Sequence, residues 1–289
     1  MTAIAAIRLV SRNADRLAAF YRNALGFLPA DEGMVEDPFV GRRRLLGLTL
    51  GAERIEILEV DGAPPATGAG PDTAFQHFAM VAPDINAAMN RLAAAEGWSA
   101  ISTNGPQILP ASSGGVTAFK FCDPEGHPLE FLSFPVGQVP PAWQGRAGDG
   151  LLGIDHTAIV VADTAASLAA YAALGFRPEP GTHNRGVEQD RLDGVAGADV
   201  VVTPLVPETA PPHLELLCYR PAAAVPLADD DLRATRTILA GAGNGPWRDP
   251  DGHRWISAAT GGATGLQLRQ RQPGGHGGTV TARMAAHQR

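Results

Sequence analysis

A strand carrying a histidine, followed after a helical stretch by a strand carrying a glutamate, occurs twice in succession in this 289-residue chain, and no other feature constrains its fold as much. The first copy opens with Phe75-Gln76-His77-Phe78-Ala79-Met80-Val81. It closes with Phe119-Lys120-Phe121-Cys122-Asp123-Pro124-Glu125-Gly126-His127-Pro128-Leu129-Glu130-Phe131-Leu132. The second runs from Ile154-Asp155-His156-Thr157-Ala158-Ile159-Val160-Val161 to His213-Leu214-Glu215-Leu216-Leu217. Histidine and glutamate stand 53 residues apart in one copy (77 to 130) and 59 in the other (156 to 215). A neutral imidazole and a carboxylate on neighbouring strands form half of a divalent metal site, and two halves facing each other complete one.

The repetition extends further. Leu17-Ala18-Ala19-Phe20-Tyr21-Arg22-Asn23-Ala24-Leu25-Gly26-Phe27 returns in shorter form as Leu168-Ala169-Ala170-Tyr171-Ala172-Ala173-Leu174-Gly175-Phe176. Each reads as an amphipathic helix closed by glycine and handed to a strand. Cys122-Asp123-Pro124-Glu125-Gly126-His127 is echoed by Arg248-Asp249-Pro250-Asp251-Gly252-His253, turn chemistry ahead of a closing strand. The repeat unit is therefore strand, helix, strand, strand, strand. Four units can be placed: residues 2–61, with strands near 3–10, 26–32, 43–50 and 54–60, then 74–135, 151–220 and 230–268. The fourth lacks room for a full helix. These units imply an N-terminal domain over 1–135, a Pro- and Gly-rich linker at 136–150, and a C-terminal domain over 151–272. A disordered tail is expected at 273–289, with His276 and His287 carrying no function.

Composition excludes several partners. With 30 acidic against 23 basic residues the net charge is −7, so there is no basic footprint for nucleic acid or an anionic membrane. No apolar run reaches membrane-spanning length and no signal peptide is evident, and two cysteines are too few for a disulfide framework. The expectation is a cytoplasmic protein, monomeric or homodimeric, that meets a small-molecule substrate. Lys120 is the sole lysine, which reads as the arginine bias of a high-GC bacterial genome.

The Leu-Gly-Phe helix exits, the Asp-Pro-(Glu/Asp)-Gly-His turns and the His and Glu positions resemble the vicinal oxygen chelate superfamily, which includes glyoxalase I, methylmalonyl-CoA epimerase, extradiol dioxygenases and the fosfomycin and bleomycin resistance proteins. The resemblance covers nearly all of residues 1–272. It implies an α+β fold of tandem βαβββ modules that curl in pairs into cups, with metal ligands from the first and last strands of each module. Carried over residue by residue, module one has Ala6 at the histidine position and Glu56 at the glutamate position. Module two keeps His77 and Glu130, and module three keeps His156 and Glu215. Module four has Ile256 at the glutamate position and no histidine near 234–238. If module two pairs with three, as in fused glyoxalases, one cup holds His77, Glu130, His156 and Glu215. If modules pair in sequence order, Glu56 joins His77 and Glu130 instead. The first pairing gives one complete site and is the simpler account.

A lone histidine on an apolar strand is usually a core or rim residue, but buried Glu130 and Glu215 amid leucine and phenylalanine would be costly without a cation. His213 shares a strand face with Glu215 and is expected at the rim, while His127 and His253 are explained by their turns. Substrate contacts are expected from the loop at 104–115, through Gln107 and Ser113, and from the loop at 184–193, through Asn184, Gln189 and Arg191. The resemblance implies one divalent ion, Zn, Ni, Co, Mn or Fe. It points first to a lyase or isomerase using Glu130 or Glu215 as the proton-transfer base. An Fe(II) extradiol-type dioxygenase and a metal-free antibiotic-sequestering protein are the alternatives.

Overall fold

The computed structural model describes residues 1–66, 70–146, 150–221, 227–232 and 234–258. The expected close of the fourth unit after residue 258, the tail at 273–289, and His276 and His287 lie outside the described residues. The first unit forms β1 (Ala3–Ser11), α1 (Ala14–Leu25), β2 (Leu28–Asp37), β3 (Gly41–Leu50) and β4 (Glu53–Glu59). The second forms β5 (Gln76–Val81), α2 (Ile85–Ala93), β6 (Ser99–Ala100), β7 (Gln107–Ile108), a 3-10 turn at Ala111–Ser113, β8 (Thr117–Cys122) and β9 (Pro128–Ser133). The third forms β10 (Ile154–Val160), α3 (Thr164–Ala172), β11 (Arg177–Pro178), β12 (Thr182–Arg185), α4 (Val187–Asp193), β13 (Asp199–Val206) and β14 (His213–Tyr219). Strands β15 (Arg236–Ala240), β16 (Trp247–Arg248) and β17 (Arg254–Ser257) complete the described chain.

Helix α1 is started by the Asn13 side chain, which accepts from the Arg16 amide, and is stopped by Gly26 in the left-handed conformation. Its buried residues Leu17, Phe20, Tyr21 and Ala24 recur at three- and four-residue spacing. Asp84 and Asp163 cap α2 and α3 in the same way. The stretch expected as a loop at 184–193 departs from that reading, because most of it is helix α4. Gly186 and a left-handed Gly194 bracket it, and burial of Gln189, Leu192 and Asp193 along one face holds it.

Two sheets form. One runs β16-β17-β15-β1-β4-β3-β2; the other runs β11-β13-β14-β10-β5-β9-β8-β6, with β12 on β13 and β7 on β8. At the seams β1 lies antiparallel to β15, and β5 antiparallel to β10. Strands of the first unit therefore join those of the fourth, and strands of the second join those of the third. Both β5 and β10 are buried along their whole length, as strands covered on both faces must be. The period of two then divides the second sheet. Phe78, Met80, Phe119, Phe121, Leu129 and Phe131 pack into the main core with α1 and α2. The alternate residues His77, Ala79, Lys120 and Glu130 face the concave side. Glu53 ties the two sheets together, its carboxylate accepting from the Ile154 amide and from Arg146.

The recurring Asp-Pro-x-Gly-His turn has a structural role. Asp123, buried, accepts from the amides of Glu125 and His127, contacts His127 Nδ1 at 2.8 Å, and accepts from the hydroxyl of Tyr21 at 2.9 Å. Asp249 repeats this with the amides of Asp251 and His253 and the hydroxyl of Tyr171. Each turn locks a helix of the preceding unit onto its sheet. Tyr21→Phe is expected to cost about 1.5–3 kcal/mol, the range for a buried hydrogen bond to a charged group. Urea unfolding checks this, and an unshifted midpoint would assign the turn's rigidity to its backbone bonds alone. Cys122 and Cys218 are both free. Among the described residues no helix is long and apolar enough to cross a membrane.

Candidate metal centre

The β5–β10 seam carries the histidines to one point. Their register opposes Ala158 to His77 and His156 to Ala79, so the two imidazoles sit diagonally on the concave face, with ring centroids 5.7 Å apart. Glu130 on β9 and Glu215 on β14 flank them, because β9 runs parallel to β5 and β14 parallel to β10. Glu130 Oε2 lies 2.8 Å from His77 Nε2 and 3.8 Å from His156 Nε2. Glu215 Oε2 lies 3.6 Å from His156 Nε2. Three of these residues, His77, Glu130 and His156, form a close-set triad of donor atoms, and Glu215 stands just outside it.

The short His77–Glu130 approach falls outside hydrogen-bond geometry, and among the described residues neither His77 nitrogen nor His156 Nε2 has a hydrogen-bond partner although all are buried. Orphaned imidazole nitrogens converging on a carboxylate are what a cation site looks like without its cation. Charge points the same way. Burial lowers the His77 pKa, which leaves the ring neutral and able to ligate. Burial would raise the Glu130 carboxyl, but Lys120, His156 and His77 outweigh it and hold the group well below its ordinary range. Glu215 is lowered likewise, chiefly by His156 against burial. Burial would lower His156, yet Glu215, Asp155 and Glu130 together raise it well above the usual value. The cluster is short of positive charge.

Further groups complete the surroundings. Asp155 Oδ2 is 3.0 Å from His156 Nδ1, and its Oδ1 accepts from Trp143 Nε1 at 2.7 Å. That arrangement turns Nε2 of His156 towards Glu130. Trp143 belongs to the stretch expected as a linker, and it is buried as a wall of the site under the Arg146 guanidinium. His213, expected at the rim, belongs to the cluster. It is half-buried, 3.9 Å from Asp155 and 3.6 Å from Glu215 Oε1, because the parallel β10–β14 register sets it opposite His156. Lys120 is 4% exposed beside Glu130 across the β8–β9 ladder, and its Nζ is 2.7 Å from Asp193. Asp193 also accepts from Gln189 and Tyr219. Burial would lower the lysine pKa, but Asp193 and Glu130 outweigh it and raise it.

Apart from Asp193 and Arg146, these groups line a cavity of about 530 Å³ whose other wall is apolar, from Leu109, Val116 and Phe134 to Val200 and Val202. Ser113, Asn184 and Gln189 line it, and the Ser113 hydroxyl donates to Asn184 Oδ1 at 2.7 Å across the mouth. Gln107 and Arg191 do not line it. Gln107 folds back onto the carbonyls of Thr103 and Gly105, and Arg191 lies on the exposed face of α4, opposite Gln189 and Asp193. Glu56 is in the other sheet, paired with Arg8 and Arg54. Lys120, Asp155, Asp193, Tyr219 and Trp143 are not among the positions that the sequence repeat marks and join the site only in the fold. A lysine alternating with Ala118 between phenylalanines on one strand was the available signal for the first, and an aspartate adjacent to His156 for the second.

Residues 3–131 match the family model described as Glyoxalase/Bleomycin resistance protein/Dioxygenase superfamily. Among solved structures, glyoxalase I from Zea mays superposes with a TM-score of 0.60 at 16% identity, covering 89% of this chain and 92% of that one. A single-substitution mutant of the same maize enzyme gives 0.59 at 16% identity, covering 89% and 93%. At that identity the likeness is one of fold, and it extends over both halves of the chain. No curated protein sequence matches the chain.

Proposed function

Since residues 3–131 belong to the glyoxalase/bleomycin resistance protein/dioxygenase superfamily and the glyoxalase I fold spans both halves of the chain, we propose that this protein is a metal-dependent lyase or isomerase of the glyoxalase kind. The observation that carries the reading is the convergence of unpartnered buried imidazole nitrogens of His77 and His156 on Glu130. His77, Glu130 and His156 would hold one divalent ion, with Glu215 as a fourth group beside them. Such an ion supplies a Lewis acid that polarises a substrate oxygen. Lys120 keeps Glu130 ionised. Glu215, part-exposed to the cavity, would take a proton from the carbon next to the substrate carbonyl and return it to the neighbouring carbon, with His213 beside its other oxygen holding the carboxylate in place. The buried Oε1 of Gln189 has no partner and accepts from a substrate hydroxyl, while the apolar wall excludes water. The substrate is thus a small oxygenated molecule with adjacent carbonyl and hydroxyl groups.

One observation favours a second reading. Two histidines and one carboxylate form the close triad, the set used by non-haem Fe(II) oxygenases, so an extradiol-type dioxygenase is the alternative. Elemental mass spectrometry on protein purified without chelator, followed by NMR-detected proton exchange of α-hydroxycarbonyl compounds in D₂O, tests both. One equivalent of Zn, Ni, Co or Mn with exchange supports the isomerase; iron with oxygen uptake on catechols supports the dioxygenase. A chain that takes up no metal even on reconstitution would sink both.

The wall residue Trp143 provides a narrower test. Trp143→Phe removes the donor that steadies Asp155 and should weaken metal binding about 10-fold, the lower end for groups that orient a ligand. Competition with a chromophoric chelator measures it, and an unchanged affinity would show that Asp155 needs no such support.

A further inference from the structure

The concave face of the seven-stranded sheet is built on the same plan as the candidate metal centre but carries arginines. The histidine of each complete pair stands two residues before the one opposite its glutamate: His77 before Ala79, which faces Glu130, and His156 before Ala158, which faces Glu215. In the other sheet the same step leads from Arg8, opposite Glu56, to Ala6, and from Ile238, opposite Ile256, to Arg236. Arg236 thus occupies a ligand position of a second cup. Arg254, two residues before Ile256 on β17, and Arg8 on β1 share its surroundings. All three are at most 1% exposed.

Their donors are unevenly met. Arg8 is satisfied by Glu56 and Asp37. Among the described residues Arg236 donates only from Nη1, to the carbonyls of Ala234 and Leu232, and its Nε is 3.6 Å from Asp37, beyond hydrogen-bond range. Arg254, among the same residues, donates only from Nη2, to the Asp229 carbonyl. Nε and Nη2 of Arg236 and Nε and Nη1 of Arg254 are buried without a hydrogen-bond partner among the described residues. Both guanidinium groups lie over the one ring of Phe39, at 5.8 and 4.7 Å. Burial pulls Arg236 down to about 10 although Asp37 opposes the fall, and Arg254 and Arg8 add to it: one aspartate does not balance the three cations gathered here. Unpaired charged donors are among the costliest things to bury, and forked guanidinium edges match the paired oxygens of a small oxyanion.

We propose that this second cup is an anion site, in which the free edges of Arg236 and Arg254 beneath Phe39 hold a small oxyanion of the phosphate or carboxylate class. The site stands apart from the candidate metal centre and does not depend on the function proposed for it.

The test uses the full chain carrying His77→Ala, which removes the metal centre as a competing site, titrated with inorganic phosphate at constant ionic strength made up with chloride. ³¹P line broadening and melting temperature are read together. Expected are saturable broadening and a melting temperature several degrees higher in phosphate than in chloride, both lost in Arg254→Met and in Arg236→Met. Acetate producing the larger rise would assign the site to carboxylates within the same class. No broadening and no rise beyond the chloride control would overturn the proposal, as would an equal response in folded Arg254→Met. If the methionine variants do not fold, Arg254→Lys, which keeps the charge and loses the fork, should weaken phosphate at least 10-fold; equal affinity would overturn it.

Discussion

Replacing either His77 or His156 by alanine is expected to remove the same single metal equivalent from the chain, whereas Glu56→Gln leaves it in place. Both imidazoles address Glu130 Oε2, His77 from 2.8 Å and His156 from 3.8 Å, so they serve one site although 79 positions separate them in sequence. A protein zinc site worth about 10–16 kcal/mol, shared among four ligands, loses about 3 kcal/mol with each. That is a fall of roughly 100-fold in affinity, enough to empty the site during purification. Glu56 is committed to Arg8 and Arg54 in the opposite sheet, so its neutralisation should leave the metal content untouched while disturbing that ion-pair network. Metal analysis of the three variants decides. Half an equivalent lost from each histidine variant, or loss on changing Glu56, would mean that the strands do not pair as the sheets show.

Lys120→Met should be the most destabilising single change near the cavity, by about 3–5 kcal/mol, because it strands a buried carboxylate. Asp193 is 3% exposed, and its Oδ1 has Lys120 at 2.7 Å as its charged partner. The companion change Asp193→Asn, made together with Lys120→Met, should recover most of that loss. The Gln189 and Tyr219 donors would still find an amide oxygen. Chemical unfolding of the two single variants and the double variant gives the coupling directly. Simple additivity would show that Lys120 is retained for the chemistry of the cavity and not for its pairing with Asp193. The same substitution bears on the site, since Lys120 leads the groups that hold Glu130 ionised against its burial.

Local patterns made much of this molecule legible. The Leu-Gly-Phe exits of α1 and α3, with Gly26 and Gly175 in positive φ, are short-range signals of helix ends. The Asp-Pro-x-Gly-His turns read as turns, and the tyrosines they hold were already in the repeated helices. Alternation placed Glu130 and Glu215 on one face of their strands, and the repeat marked His77 and His156 as their partners. The stretch 184–193 reads as a loop in sequence because its helix has only seven residues and is held by burial of Gln189, Leu192 and Asp193 against other segments, not by its own periodicity. That Gln107 and Arg191 point away from the cavity is hidden from the sequence for a related reason: composition of a loop says which side chains are polar but not which way they turn.

The sequence by itself determined the repeated strand-helix-strand order, the ends of the helices and the four residues offered as ligands, because each rests on spacing, capping or turn chemistry acting over a few neighbouring positions. The distribution of His and Glu over the modules favours pairing the second with the third, but the contact itself, β5 on β10 and β1 on β15, is fixed by tertiary structure. It likewise brought Asp155 and Trp143 behind His156, drew Lys120 to an aspartate 73 residues away, and gathered Arg8, Arg236 and Arg254 in a second cup. Those contacts depend on which buried edges find each other across long stretches of chain, and that is settled by the joint burial of both faces of a sheet, a property no local pattern contains.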